Sequence, residues 1–291
     1  MTRRTHKPRP RASAGRQAST LPDYDALFAP WLERWNLIPD GEVLVTPGSR
    51  LLPVRRNGAP GMLKIALEAE ERRGPLLMVW WAGQGAAPVW AHEGDALLME
   101  RATGPGSLAA MAHEGRDDEA TRIICAVAGQ LHAPRRSPPP PLLPLAQWFA
   151  ALAPVAAREG GLIARAASVA RELLQAPREV GVLHGDLHHA NVLDFGPRGW
   201  LAIDPKRLQG ERAFDFANIL FNPDLETATA PGRLARQVSV AAEAAGLDRR
   251  RLLQWVLAFA GLSAAWFVED GVTPTFDLAI AEIAAAELAK A

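Results

Sequence analysis

The sequence predicts an α+β protein in two lobes: a small antiparallel β lobe carrying one helix, then a larger α-rich lobe. Three observations lead there. Short apolar segments separated by Pro-Gly and Asn-Gly pairs crowd residues 43–100, which is the pattern of hairpins. A run of turn formers, Arg101–Ser107 (RATGPGS), follows the last of them and suits a hinge. Beyond it, Ala- and Leu-rich stretches with helical periodicity dominate to the end of the sequence.

Asp25–Trp35 reads as the first helix, because Leu27, Phe28, Trp31, Leu32 and Trp35 recur at three- and four-residue steps. Val43–Thr46, Leu51–Arg55 and Met62–Leu67 read as strands, punctuated by Pro47-Gly48, Asn57-Gly58 and Pro60-Gly61. Glu68–Trp81 is expected to form one helix, charged at its start and apolar later. Pro88–His92 and Ala96–Glu100 complete the small sheet around a Gly94-Asp95 turn. After the hinge, Met111–His132 reads as a helix and Arg135–Pro141 (RRSPPPP) as a stiff polyproline-like connector. Ala146–Ala157 and Leu162–Gln175 read as helices, Val180–Leu193 and Trp200–Ile203 as apolar strand segments with polar turns. Helices are expected again at Arg233–Ala245, Leu252–Val268 and Leu278–Lys290. Leu252–Val268 is the strongest membrane candidate, but it falls short of the ~20 residues of a spanning helix. Gln254, Gly261 and Ser263 also interrupt it. A buried core helix is expected there, and no membrane partner.

The domain reading is therefore a disordered basic tail at 1–20, a β-rich lobe at 21–101 and an α-rich lobe at 102–291. At 291 residues, 48% apolar and 22% charged, the chain has material for a large core, and collagen-like, coiled-coil and wholly disordered classes are excluded. Cys125 is the one cysteine, which excludes a disulfide framework or a Cys-rich zinc site and fits a reducing cytoplasm. Net charge is zero, yet six of the 32 basic residues and none of the 32 acids lie in residues 1–20. The tail lacks an apolar run to fold around or to serve as a signal peptide. The rest carries a formal charge of −6, so nucleic acid is not an expected partner.

Polar residues concentrate in Val182–Asp194 (VLHGDLHHANVLD), where His184, His188 and His189 sit beside Asp186 and Asn191. Apolar pairs bracket the cluster, describing a tight loop between buried strands; so much polarity there is costly unless functional. Asp186 and Asn191 stand five apart, the Asp-to-Asn separation of the kinase pattern H-R-D-x-x-x-x-N. Asp204, in Ile-Asp-Pro-Lys 18 residues after Asp186, stands where the D-F-G aspartate would. Phosphoryl transfer needs these parts: a carboxylate for the hydroxyl proton and hard oxygen ligands for Mg²⁺ on the phosphates. The candidate cation for the phosphates is Lys64, in the apolar strand G-M-L-K-I-A like the lysine of V-A-I-K and the only lysine between Lys7 and Lys206; a strand lysine otherwise reads as a surface side chain. Glu70 or Glu71 would pair with Lys64.

Other residues read more plainly. His184 suits a structural role, bonding the loop backbone. His188 and His189 are neighbours in a strand-flanked loop and point opposite ways, so at most one would ligate a metal. Asp194 reads as a turn residue before Phe195-Gly196. The tryptophans read mostly as core, with Trp255 and Trp266 as candidates for an acceptor pocket. Glu269 and Asp270 either stand in solvent or face a cationic acceptor. Two competing functions share these residues. Gly-Asp-Leu-His, read as a G-D-x-H metal motif, would make a metal-dependent phosphoesterase if further His and acid clusters complete a two-metal site. A kinase-like fold retained as a non-catalytic nucleotide-binding module, or acting on an unknown metabolite, is the other.

H-G-D-L-H-H-A-N followed by I-D-P-K resembles the aminoglycoside phosphotransferase family. W-L-A-I-D-P-K-R-L-Q-G-E-R-A-F-D-F-A-N-I-L-F-N-P resembles, within it, the branch of streptomycin 6-phosphotransferases and aminoglycoside/hydroxyurea antibiotic resistance kinases. L-L-M-V-W-W-A-G-Q-G-A-A, H-E-G-D-A-L-L-M-E-R-A-T-G and L-H-A-P-R fit the same branch, so the resemblance spans residues 21–291. It implies a protein-kinase-like fold and an ATP-dependent O-phosphotransferase acting on a small molecule such as streptomycin. ATP and Mg²⁺ are the implied cofactors, in a cytoplasmic monomer or homodimer. By the resemblance, Asp186 is the catalytic base, Asn191 and Asp204 hold Mg²⁺, and Lys64, braced by Glu71, contacts the ATP phosphates. Glu100–Ala102, including Glu100 and Ala102 themselves, would face the adenine through backbone groups, and Asp215, with His184, would brace the catalytic loop. Two departures stand out: Arg207 replaces the glycine expected after D-P-K, where a bulky cation would reshape the acceptor pocket, and the loop Thr46–Arg50 lacks G-x-G-x-x-G.

Overall fold

The computed structural model describes residues 24–69 and 71–290; the basic segment 1–20 and Glu70 lie outside the described residues. The first lobe is a six-stranded antiparallel sheet of β1 (Ile38–Pro39), β2 (Leu44–Val45), β3 (Ser49–Arg56), β4 (Ala59–Ala66), β5 (Val89–Glu93) and β6 (Ala96–Glu100). Its order is β1-β3-β4-β6-β5, with β2 also on β3. β3 and β4 join across Asn57-Gly58 in a register running from Ser49↔Ala66 to Arg56↔Ala59, as that dipeptide demands. Alternation along β4 then decides the site. Leu63 and Ile65 pack with Val54, Leu98 and Phe28 of the helix Tyr24–Arg34, which leaves Lys64 on the opposite face. On that face Leu97 and Met99 meet Met78 of the same lobe, and Phe195 and Leu201 of the other.

The helix expected over Glu68–Trp81 begins only at Gly74 and ends at Trp81. Proline belongs in the first turn of a helix, and the residue before it avoids the α region; Gly74-Pro75 therefore starts the helix, and Glu71 sits in the turn that precedes it. The long helix expected from Met111 to His132 is two, Leu108–His113 and Asp117–His132. Ser107 caps the first by accepting the Ala110 N–H, and Asp117, Asp118 and Glu119 give the second a fresh acidic first turn. The connector 133–142 has no regular structure.

The second lobe packs helices around one long core. Arg249–Glu269 has the length and apolarity to cross a membrane, but Leu252, Leu253, Trp255, Val256, Leu257 and Ala258 are fully buried inside the lobe. They pack beside the helices Gly161–Gln175 and Thr275–Lys290. Two small ladders carry the polar loops: Val192–Asp194 with Trp200–Ala202, and Val180–Leu183 with Leu208–Glu211. The strand Leu208–Glu211 and its parallel partner Leu143–Pro144 were not foreseen, because four and two residues are too short to show a period. A ten-residue 3₁₀ helix, Arg212–Phe221, follows directly.

Candidate active site

A cavity of about 340 Å³ opens between the lobes. The sheet side contributes Thr46, Pro47, Gly48, Leu51, Lys64, Leu97 and Met99; the helical lobe contributes Asp186, Asn191, Ile203, Asp204, Pro205 and Lys206. Apolar walls with a few convergent polar groups are what a nucleotide-sized ligand requires.

Lys64 stands at the centre, its Nζ 2.5 Å from Glu71 Oε2 and 2.5 Å from Asp204 Oδ1. Burial alone would lower the lysine's pKa, but Asp204 and Glu71 more than offset it and raise it above its usual value. Burial likewise works against the Asp204 charge, and Lys64 and Lys206 outweigh it, holding the carboxyl well below the usual range. Glu71 is therefore the partner of Lys64. It also accepts a hydrogen bond from Ser49 Oγ at 3.1 Å and lies 3.5 Å from Lys206 Nζ. A Cβ on Gly48 would come within 2.8 Å of Glu71 Cγ, so only glycine lets this loop close over the glutamate. The loop 46–50 needs no G-x-G-x-x-G, because Thr46 Oγ1 accepts the Ser49 N–H and Arg50 bonds the Thr46 carbonyl.

The loop of Asp186 is held from beneath by Asp215, which accepts the N–H groups of His184 and Gly185 at 2.8 and 2.7 Å and bonds His132 Nε2 at 2.8 Å. His184 is fully buried and serves the backbone: its Nδ1 accepts the Asp186 N–H at 3.2 Å, so its Nε2 is the donor to the Ile203 carbonyl at 2.9 Å. That assignment makes the ring neutral, and burial lowers its pKa in the same sense. Gly185 has φ +83°, and a Cβ there would strike Leu208 Cδ1 at 2.7 Å. Asn191 Nδ2 donates to the Asp186 carbonyl at 2.8 Å, which leaves its Oδ1 as the atom for a ligand. Asp204 is held at φ +62°, a conformation that aspartate tolerates better than most residues. Its Oδ2 carries no hydrogen bond from the described residues. An amide oxygen and a carboxylate oxygen facing one cavity are a fitting pair for a hard divalent cation.

The remaining expectations divide. Glu100 ends β6 beside the cavity, but its carboxylate turns to Arg198 at 2.7 Å, and Ala102 packs with the Met78–Phe195 cluster; neither side chain lines the cavity. Asp194 does make a turn, accepting the Gly196 N–H, and its other oxygen takes the Gly106 N–H at 3.0 Å, tying the hinge to the helical lobe. Trp255 and Trp266 are core and not pocket: both are buried, and Trp255 Nε1 donates to Glu211 Oε1 at 2.9 Å. Leu143 N–H donates to the carbonyl of Arg207, whose φ is +57°. His188 Nε2 lies 3.7 Å from Asp186 Oδ1, while His189 is buried. Among the described residues no group of three or more His, Cys, Asp and Glu is placed to hold a metal. Three participants were missed: Ser49, Lys206, and Asn218, whose Nδ2 donates to Asp186 Oδ1 at 2.7 Å. Asn218 sits inside F-D-F-A-N, where only its type, not its reach, is legible.

A β lobe that presents a lysine–glutamate pair across a cavity from an Asp…Asn loop and a following Asp is the architecture of kinase-type phosphotransferases. The aminoglycoside/hydroxyurea antibiotic resistance kinases match residues 34–271, and the chain belongs to that family. It is 56% identical over 245 residues to the streptomycin 3''-kinase of Klebsiella pneumoniae, covering 82% of this chain and 92% of that protein. It is 33% identical over 283 residues to the streptomycin 6-kinase of Streptomyces griseus, covering 90% and 88%. An aminoglycoside phosphotransferase solved as a ternary complex with ADP and hygromycin B shares the fold, with a TM-score of 0.61 at 15% identity over 91% of this chain and 97% of that one.

Proposed function

We propose that this chain transfers the γ-phosphate of ATP to a hydroxyl of a streptomycin-type aminoglycoside, at the 3'' position. The observation that carries the reading is the convergence of Lys64, Asp186, Asn191 and Asp204 on one cavity. The choice of acceptor rests on the streptomycin kinases among the relatives. The choice of hydroxyl rests on the 56% identity to a 3''-kinase against 33% to a 6-kinase. Lys64, kept charged by Glu71 and Asp204, binds the phosphates, and the hinge backbone at Glu100–Ala102 borders the adenine. Asn191 and Asp204 are the residues to hold Mg²⁺, which when bound neutralises phosphate charge. Asp186 takes the proton of the acceptor hydroxyl as that oxygen bonds to the γ-phosphorus. The bond from phosphorus to the bridging oxygen breaks with its electron pair leaving on ADP.

A coupled ADP-release assay with Mg·ATP and streptomycin tests the reading, with mass and NMR analysis of the product. Wild type should release ADP only with the acceptor and place phosphate on the 3''-hydroxyl. Asp186→Ala should lose about 10²–10⁴-fold in kcat while still binding ATP. Phosphate found on the 6-hydroxyl would overturn the regiochemistry. Transfer undiminished in Asp186→Ala would overturn the mechanism.

A further inference from the structure

Asp186 is not left to choose its own rotamer. Its Oδ1 accepts a 2.7 Å hydrogen bond from Asn218 Nδ2, and no described residue donates to its Oδ2. Asn218 is buried on the 3₁₀ helix Arg212–Phe221, three residues after Asp215. Side chains at i and i+3 eclipse in such a helix, so one short element grips the loop twice: Asp215 takes the two N–H groups ahead of Asp186, and Asn218 takes its carboxylate.

Asn218 is itself held. Asn222 Nδ2 donates to the Asn218 carbonyl at 2.7 Å and reaches its Oδ1 at 3.3 Å. The second contact points the amide's oxygen at a donor and its NH₂ at Asp186, fixing the flip of the amide. The Asn222 carbonyl accepts from Arg233 at 2.8 Å, and Arg233 forks onto Asp117 at 2.7 and 3.0 Å. A chain of hydrogen-bonded groups thus runs from the first turn of the helix Asp117–His132 to one oxygen of one carboxylate. A neutral amide at its end fixes direction without adding a charge that would compete for Asp186.

Resting on the phosphotransfer reading above, we infer that Asn218 is a positioning residue: it occupies Asp186 Oδ1 and thereby assigns Oδ2 as the oxygen that receives the acceptor's proton. The acceptor O–H bond breaks toward Oδ2 while the oxygen's electron pair attacks phosphorus, and ADP departs as the leaving group.

The test compares wild type, Asp186→Ala, Asn218→Ala and Asn218→Leu, the last keeping roughly the shape of the asparagine without its donor and without adding a charge beside Asp186. Transfer rate is expressed per ATP-binding site, counted by equilibrium titration, so that a fraction of unfolded protein cannot pass for a catalytic defect. Both Asn218 variants should lose about 10–100-fold in kcat, with KM for ATP and for the acceptor within about twofold of wild type. A kcat per site within about twofold of wild type in either variant overturns the inference, as does a loss that appears in KM for ATP instead. If Asn218→Ala does not fold, Asn218→Leu decides; if neither binds ATP, Asn218 is a folding residue and the inference falls. Failure of the parent reading looks different: wild type itself would show no Asp186-dependent transfer.

Discussion

Two sets of acids in the helical lobe, one lining the cleft and one buried beneath it, use the same chemistry to opposite ends. Asp215 has a fully buried side chain and three partners, His184 N–H, Gly185 N–H and His132 Nε2. Glu211 is as closed, taking a two-pronged bond from Arg251 at 2.6 Å, the indole of Trp255 and the Arg178 N–H. Asp186 and Asp204, with side chains 29% and 36% exposed, both line the cavity, and each has one oxygen engaged and one without a hydrogen bond from the described residues. A carboxylate whose capacity is exhausted can only hold structure; one with an oxygen to spare can take a proton or a cation. Satisfaction of hydrogen bonds, more than burial or charge, separates the two roles here.

The harshest test of that division is Asp215→Ala. It strands two buried backbone N–H groups and a histidine, and each stranded donor costs about 1–3 kcal/mol. The variant should lose about 3–5 kcal/mol of stability in urea unfolding and all transfer activity, whereas Asp186→Ala, which strands only the Asn218 amide, should lose activity at a stability cost of about 1 kcal/mol. Equal stability losses in the two would erase the distinction.

Arg251→Ala probes the closed side without touching the cleft. Removing one partner of a buried pair costs about 3 kcal/mol, and kcat should not change. Its pH dependence has a definite sign. Burial would raise the Glu211 pKa, but Arg251, the Arg178 N–H and Trp255 more than offset it, so the net shift is downward. A depressed folded-state pKa stabilises fully above the ordinary glutamate value of 4.5 and loses that contribution as pH falls through the folded value. Unfolding measured from pH 6 to pH 3 should therefore show wild type and variant converging as the pH drops. A constant gap would mean that the arginine acts through packing of its stem alone.

How much of this was legible in advance follows the same line. Lys64, Asp186, Asn191 and Asp204 were legible because an open site needs particular residue types at particular spacings, and those survive in a linear sequence. The closed networks were not. Glu211, Arg251 and Trp255 are 40 and 44 residues apart in the chain, and nothing local announces that they meet. The choice between Glu70 and Glu71 depended on the turn ahead of Gly74-Pro75, and the expected long helix obscured it. Trp255 and Trp266 were open to a pocket role because an aromatic residue on an apolar helix looks the same whether it faces a ligand or a neighbouring helix.

Ser49 lies on the border between the two sets and carries the smallest expected effect. It is fully buried, as a structural residue would be, yet its hydroxyl donates to Glu71 Oε2, the oxygen that also holds Lys64. Ser49→Ala removes one of the bonds that fix Glu71 and leaves the lysine in place. A hydrogen bond to a charged group is worth about 1.5–3 kcal/mol, and the remaining ion pair absorbs part of that loss. If Glu71 belongs to the open, ligand-serving cluster, the loss falls on nucleotide binding: KM for ATP should rise about three- to tenfold while the acceptor KM and the unfolding midpoint hold. If the midpoint falls and KM for ATP does not, Ser49 and Glu71 form another closed network, and the cleft side of the comparison shrinks to Lys64, Asp186, Asn191 and Asp204.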